Sequence, residues 1–238
     1  FKIKTISITY GLVCHISFIL GGFCMFWGLY NGLTVSVGSL IYPYNIIGNF
    51  ILLVQFPIFH SLLLSKPGRK VLRLLAPSYY GRTLETTVYA TIASLQLLIL
   101  FILWTPSHFI VYEIYFPYNL ISSLLYLMSW ILLSISSLQA GYKVQTGSLG
   151  WTSMLNNQDP IYPAMPSKGL FSLTRQPIYL SFCLVLWTPP IMTLDLLILA
   201  SSYSIYCYFA PKFKEKRFTR FYGKSFLVYK KNTPYFFP

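Results

Sequence analysis

The chain has 238 residues, of which 55% are hydrophobic, 18% aromatic and only 10% charged. A soluble domain carries about 25% charged residues, so this composition excludes an ordinary water-soluble domain and points to lipid. The net charge of +13 sits in segments between apolar runs, which makes it a signal of membrane topology rather than of a nucleic-acid partner.

A run of about 20 apolar residues crosses a hydrocarbon core of about 30 Å. Such runs are predicted at 5–30, 45–64, 83–104 and 118–139, followed by a helical hairpin at 176–188 and 191–210. Thr188-Pro189-Pro190 divides the hairpin, because each proline removes a backbone donor and clashes with the preceding turn. Its first arm is short, so it is expected either to tilt or to be completed by residues 169–174. The run at 5–30 is too long for a signal-peptide core and has no small-x-small cleavage site behind it, so it reads as a retained span. Cys14, Cys24, Cys183 and Cys207 all fall in apolar runs without C-x-x-C spacing. They read as small core residues, with neither a disulfide frame nor a metal site.

Charge then predicts orientation. Lys2 and Lys4 precede the first run, and Lys66, Arg69, Lys70, Arg73 and Arg82 follow the second. Lys143, Lys168 and Arg175 lie between the fourth and fifth, and residues 212–231 are rich in Lys and Arg, whereas loops 31–44 and 105–117 hold neither. Lys and Arg collect on the cytoplasmic side of short loops, so six spans with both termini inside are expected. The basic loops should also attract anionic lipid headgroups, at about 1 kcal/mol per cation.

In the tail, Lys212, Lys216, Arg220 and Lys224 recur every fourth residue, while Phe218, Tyr222, Phe226 and Tyr229 recur at four, four and three. The two sets predict one amphipathic helix, basic on one face and aromatic on the other, lying on the membrane or capping the cytoplasmic mouth of the bundle. No internal repeat or second domain stands out. Residues 1–238 therefore read as one membrane domain, with 174–238 as its closing hairpin and tail.

That closing part carries a resemblance. Arg175-Gln176-Pro177-Ile178-Tyr179-Leu180-Ser181, Lys214-Glu215-Lys216-Arg217-Phe218, Tyr222-Gly223, Tyr229 and Thr233-Pro234 resemble the isoprenylcysteine carboxyl methyltransferase superfamily. The nearest part of it is the short bacterial branch of methanethiol S-methyltransferases and NnrU-like proteins. In that family an Arg-His-Pro-x-Tyr-x-Gly motif opens the last hairpin, Glu-Glu-x-x-Leu follows it, and a Phe-Gly, Tyr and Val-Pro pattern closes the chain. Upstream, Phe59-His60-Ser61 with Lys66-Pro67-Gly68, Glu85-Thr86-Thr87-Val88-Tyr89 and Trp187-Thr188-Pro189-Pro190-Ile191-Met192-Thr193 are similar to the family's second loop, third span and hairpin turn.

The resemblance implies S-adenosylmethionine bound at the cytoplasmic side and a methyl group passed to a small or lipophilic thiol or carboxylate acceptor. It implies a cofactor pocket made by Arg175, Gln176, Pro177, Tyr179, Glu215 and Tyr229. The residue chemistry suits that assignment. Arg175 is a permanent charged fork for a carboxylate, Glu215 accepts from an ammonium or ribose hydroxyls, and the tyrosines offer faces to adenine or a sulfonium. Methyl transfer asks mainly for in-line positioning, so no catalytic acid or base is assigned.

Three departures complicate the carry-over. Gln176 stands where the family has His, Ser181 where it has Gly, and Lys214 where it has the first Glu; Gly141-Tyr142 replaces an Asn-His pair near the end of the fourth span. Gln keeps a hydrogen bond but takes no proton near neutral pH, and Lys214 either repels a sulfonium or grips a carboxylate or phosphate. The site thus belongs to an enzyme with an altered substrate or to a retired one.

The expected fold is all-α, polytopic and helical, with a basic tail. The leading function is an integral-membrane methyltransferase. The alternative is a non-catalytic accessory subunit of a larger membrane complex, such as a bioenergetic one. Haem held by His15 and His60, as in an NnrU-like protein, is a third reading, disfavoured because two lone histidines on different spans form no motif. The resemblance to a bacterial branch favours a bacterial inner membrane over an organellar one.

Overall fold

A computed structural model describes residues 2–236. Its helices run in chain order as α1 (Lys2–Tyr30), α2 (Tyr44–Leu63), α3 (Lys66–Leu74), α4 (Glu85–Leu103), α5 (Tyr118–Gln139), α6 (Tyr142–Gln145), α7 (Ser148–Leu155), α8 (Leu170–Leu173), α9 (Pro177–Trp187), α10 (Leu194–Tyr222) and α11 (Lys224–Asn232). Two short strands, β1 (Ile110–Glu113) and β2 (Ile191–Thr193), pair antiparallel. The protein is an all-α polytopic membrane protein. Among the described residues α1, α2, α4, α5 and α10 are long and apolar enough to cross a bilayer. On α2 the side chains of Ile46, Ile47, Phe50, Ile51, Ile58, Phe59 and Leu62 are exposed, an apolar surface that water would not tolerate and lipid tails match.

The hairpin differs from the six-span expectation. The arm α9 has 11 residues and rises only about 16 Å, half of a hydrocarbon core. Residues 169–174 do not extend it, because the single turn α8 ends at an extended Thr174 (φ −146°, ψ 147°). By contrast α10 has 29 residues, about 43 Å at 1.5 Å per residue, so its basic end projects beyond the apolar stretch. The single amphipathic tail helix is also corrected. Lys212, Lys216 and Arg220 end α10, and Lys224 opens α11. Gly223 turns the chain between them at φ 51°, ψ −123°, a conformation that only glycine adopts without strain. The aromatic face survives the bend by folding on itself, with Phe226 packed edge-on against Phe218 at 5.8 Å and Tyr229 6.3 Å beyond.

The chain divides into two compact units. The first takes residues up to Gly28, Leu33–Pro106 and Tyr142–Tyr162. Its core gathers Leu72, Ala76, Leu84, Val88 and Met154, with Trp151 packed against them. Several polar side chains inside it are paired, as burial away from water favours. Gln96 Nε2 donates to Gln55 Oε1 at 2.8 Å, and Thr87 Oγ1 donates to the Gly147 carbonyl at 2.6 Å while accepting from Trp151 N at 2.9 Å. Ser65 starts α3 by accepting from Gly68 N at 3.2 Å, with Pro67 in the first turn.

The second unit takes Leu29–Gly32, Ser107–Gly141 and the residues from Pro163 onwards. Here α5 packs along α9 through serines seven residues apart. Ser122 Oγ donates to the Thr188 carbonyl at 2.7 Å, Ser129 lies 3.5 Å from Thr188 Oγ1, and Ser136 lies 3.3 Å from Ser181 Oγ. Small hydroxyl residues let two membrane helices approach closely. At the hairpin turn β2 pairs with β1 out of the loop 105–117, a pairing the sequence reading did not include. Thr193 then caps α10 by accepting from Leu196 N at 3.1 Å, and Asp195 Oδ2 accepts from Ser107 N and Oγ at 2.8 and 2.6 Å.

Candidate cofactor site

Local chemistry at the start of α9 sets the site. Pro177 occupies the first turn, where its missing donor is harmless, and Gln176 is the cap residue. Arg175 therefore falls on the extended connection before the helix. Its backbone N donates to the Pro234 carbonyl at 2.9 Å and Thr174 Oγ1 donates to the Tyr235 carbonyl at 3.0 Å. Pro234 and Tyr235 thus lie alongside as a strap. Arg175 Nη1 adds bonds to the carbonyls of Lys230, at 2.9 Å, and Thr233.

From α10, Glu215 completes the cluster. Its Oε1 accepts from Arg175 Nε at 2.8 Å and from Gln176 Nε2 at 3.0 Å, and its Oε2 pairs with Lys230 Nζ at 3.3 Å. Glu215 is 6% exposed and Gln176 1%. A buried carboxylate needs such partners, and three donors satisfy it. One acceptor is left over: among the described residues, buried Gln176 Oε1 has no hydrogen-bond partner.

Beside this cluster lies a cavity of about 440 Å³ lined by Arg175, Glu215, Lys230 and Tyr235, and by Tyr208, Lys212, Lys216 and Thr219 of α10. That volume falls within the usual range for small-molecule sites, about 300–1,000 Å³. Four cations face one carboxylate there. Burial pushes the Tyr229 and Tyr235 hydroxyls up to about 12, so both remain donors. Tyr229 donates to the Phe171 carbonyl at 2.6 Å and Tyr235 to the Tyr208 carbonyl at 2.7 Å, while the Arg175 guanidinium lies 5.5 Å from the Tyr235 ring centre.

Of the residues singled out in the sequence, Arg175 and Glu215 line the cavity and Gln176 bonds to Glu215. Pro177 is buried beneath them as the helix start. Tyr179 and Tyr229 stand outside the lining: Tyr179 faces Lys214 Nζ, 5.5 Å from its ring centre, and Tyr229 is tied to α8. Of the lining, Tyr208, Thr219, Lys230 and Tyr235 were not singled out, and Lys212 was read only as part of the basic face. Tyr208, Lys212, Glu215 and Thr219 recur at four, three and four, one helix face, a spacing that would have marked them. The uniform fourfold spacing of the basic residues drifts off that face.

The departures from the family pattern separate in space. Ser181 donates to the Pro177 carbonyl at 2.7 Å and lies against Ser136, so it belongs to the packing of α9 on α5, not to the cavity. Gln176 supplies the third donor to Glu215. Lys214 sits half-buried between the rings of Tyr179 and Phe218, at 5.5 and 5.6 Å.

The first unit holds a second acid cluster. Glu85, 6% exposed, opens α4 and pairs through Oε1 with Arg69 Nε and through Oε2 with Arg73 Nε at 2.7 Å, both from α3. His60 Nε2 pairs with the Tyr89 hydroxyl at 2.8 Å, and His15 Nε2 accepts from Trp151 Nε1 at 3.1 Å. Both Nε2 atoms are thus engaged within the protein. Among the described residues no group of three His, Cys, Asp or Glu is placed to hold a metal ion.

No family model matches the chain, and no solved structure matches it. Curated relatives do. Methanethiol S-methyltransferase 1 of Bradyrhizobium diazoefficiens is 25% identical over 243 residues, covering 99% of this chain and 83% of the relative. The methanethiol S-methyltransferase of Crocosphaera subtropica is 23% identical over 248 residues, covering 100% and 94%. That of Pseudomonas deceptionensis is 22% identical over 198 residues, covering 83% and 74%. The similarity to the first two runs over nearly the whole chain, hairpin and tail included, so the chain is similar over its length to bacterial methanethiol S-methyltransferases.

Proposed function

We propose that this protein is an integral-membrane methyltransferase that uses S-adenosylmethionine to methylate a small thiol. The observation that carries this reading is the cavity at Arg175 and Glu215, in a chain similar over its length to methanethiol S-methyltransferases. The residues present suit the cofactor. Gln176 Oε1, buried and unbonded, awaits a donor such as an ammonium or a ribose hydroxyl. Arg175 spends Nε and Nη1 on Glu215 and the strap, which leaves Nη2 for a carboxylate. Lys230 and Lys212 add positive potential for the same group, and the Tyr208 and Tyr235 rings offer apolar faces to a base.

Bound there, the cofactor supplies an electrophilic methyl group on a sulfonium. Residues of this chain hold and orient. Glu215 fixes Arg175, Gln176 and Lys230 as one unit, and the strap bonds lock Arg175 before any ligand arrives, the preorganisation that positioning needs. The positive-inside bias of the loops favours the cytoplasmic face for this cluster and for both termini. The bacterial relatives favour a bacterial inner membrane. The basic end of α10 and α11 would attract anionic headgroups there.

Purified protein in detergent should bind S-adenosylmethionine and transfer a labelled methyl group to a small thiol. Arg175→Ala should weaken cofactor binding by at least about tenfold, the scale of a charged hydrogen bond. No detectable binding at millimolar cofactor would sink the reading.

A further inference from the structure

Residues 64–84 join the end of α2 to the start of α4, two helices long and apolar enough to cross a bilayer. The helix between them, α3, therefore lies at a membrane surface. Its sides differ sharply. Lys66, Arg69, Lys70 and Arg73 are spaced three, one and three apart, which gathers them on one face. Leu72 turns a second side into the core of the unit. Val71 and Leu74, with Leu75 just past the helix, make a third side that is left open, Leu74 being 83% exposed. Lys70 and Leu74, four residues apart, stand side by side where the basic and open apolar sides meet. Acyl chains match that apolar edge and water does not.

Glu85 then sets the arginines. Arg69 and Arg73 lie one turn apart, and each donates through Nε to one oxygen of the same buried carboxylate. A guanidinium carries its five N–H donors in a rigid plane. Among the described residues no hydrogen bond takes up Nη1 or Nη2 of either arginine. Two forks are thus oriented by one anchor with their remaining donors unspent, on side chains 44% and 36% exposed. Paired forks of this kind suit a phosphate, whose oxygens accept from more than one direction. A soluble phosphate ester offers the same oxygens, but only a phospholipid also covers the apolar edge.

We propose that Arg69 and Arg73, oriented by Glu85, form a discrete seat for the phosphate of an anionic phospholipid whose acyl chains lie along Val71, Leu74 and Leu75. The seat needs forks held in place, which distinguishes it from the diffuse attraction of any basic loop to a charged surface. None of these residues lines the cavity at Glu215, so the seat is independent of the reaction that cavity serves.

The full-length protein in neutral detergent is titrated with dioleoylphosphatidylglycerol, and the lipids retained are counted by native mass spectrometry. The wild type should hold at least one such lipid about tenfold more tightly than dioleoylglycerol, which lacks the phosphate, or glycerol 3-phosphate, which lacks the chains. Arg69→Lys combined with Arg73→Lys keeps every charge but removes the forks, and should weaken that lipid about tenfold. Glu85→Gln adds one unit of positive charge, so diffuse attraction would strengthen binding, whereas loss of the anchor should weaken it to a similar extent. Unchanged affinity in the double lysine variant, or tighter binding in Glu85→Gln, overturns the proposal. So does glycerol 3-phosphate or dioleoylglycerol binding as tightly as the phospholipid. If Glu85→Gln does not fold, the double lysine variant decides alone, because it retains the ion pairs to Glu85.

Discussion

Glu85 in the first unit and Glu215 in the second are equally buried, and each is gripped by two cations, yet their surroundings give them different work. Glu85 divides its oxygens between Arg69 and Arg73, whose side chains are 44% and 36% exposed. It staples the basic helix α3 to the start of α4, and the arginine forks keep contact with solvent or headgroups. Glu215 holds an arginine that is only 10% exposed, a glutamine with an orphaned acceptor, and a lysine from beyond the Gly223 bend. The first cluster is closed by its two arginines, with both carboxylate oxygens taken. The second stands on a cavity with positive charge in excess, the asymmetry expected where a ligand is to complete the set.

Mutations can break or sharpen that contrast. Glu215→Ala should have the largest effect, because it leaves buried Arg175 and Gln176 without their acceptor. A loss of about 3–5 kcal/mol in unfolding stability is expected, together with loss of S-adenosylmethionine binding by calorimetry. Next comes Gly223→Ala, which forces a side chain into a glycine-only conformation at a cost of about 1–3 kcal/mol. It should disturb the Lys230–Glu215 pair and weaken cofactor binding. Glu85→Ala should cost about 1–2 kcal/mol, since its arginines can turn to water, with cofactor affinity unchanged. An equal loss of cofactor affinity in Glu85→Ala would erase the distinction between the clusters.

The smallest effect is at Tyr229. Its hydroxyl is raised to about 12 by burial, so the folded state favours the protonated form. The stability this contributes is complete below pH 10 and falls as pH rises from about 10 to 12. Tyr229→Phe should flatten that alkaline slope in detergent unfolding curves, and should cost about 1 kcal/mol below pH 9 through the lost bond to Phe171.

Much of the membrane architecture was legible because hydropathy reports directly on length scale. The runs at 45–64, 83–104 and 118–139 fall within a residue or two of α2, α4 and α5. The hairpin was harder. Double proline marks its turn, but how far α10 continues past its apolar stretch depends on Pro211 being accommodated inside the helix, which propensity argues against. The pairing of β1 with β2 joins segments about 80 residues apart, and neither has a strand-like pattern long enough to stand out. In the site, Arg175, Gln176 and Glu215 were readable as motif members. Lys230 and Tyr235 were not, because they reach the cavity through the Gly223 bend and the strap bonds to residues 174 and 175.

By itself, then, the sequence determined an all-α membrane protein with a polar, basic cluster at its closing hairpin, since apolar run length and the type of charged residue are local properties. Only the tertiary structure decided which charges pair and which of the pairs stands on a cavity. Electrostatic pairing depends on distances of a few ångströms between residues far apart in the chain. Such distances separate Glu85, closed by its arginines, from Glu215 on its cavity, and they set Lys214 against the rings of Tyr179 and Phe218.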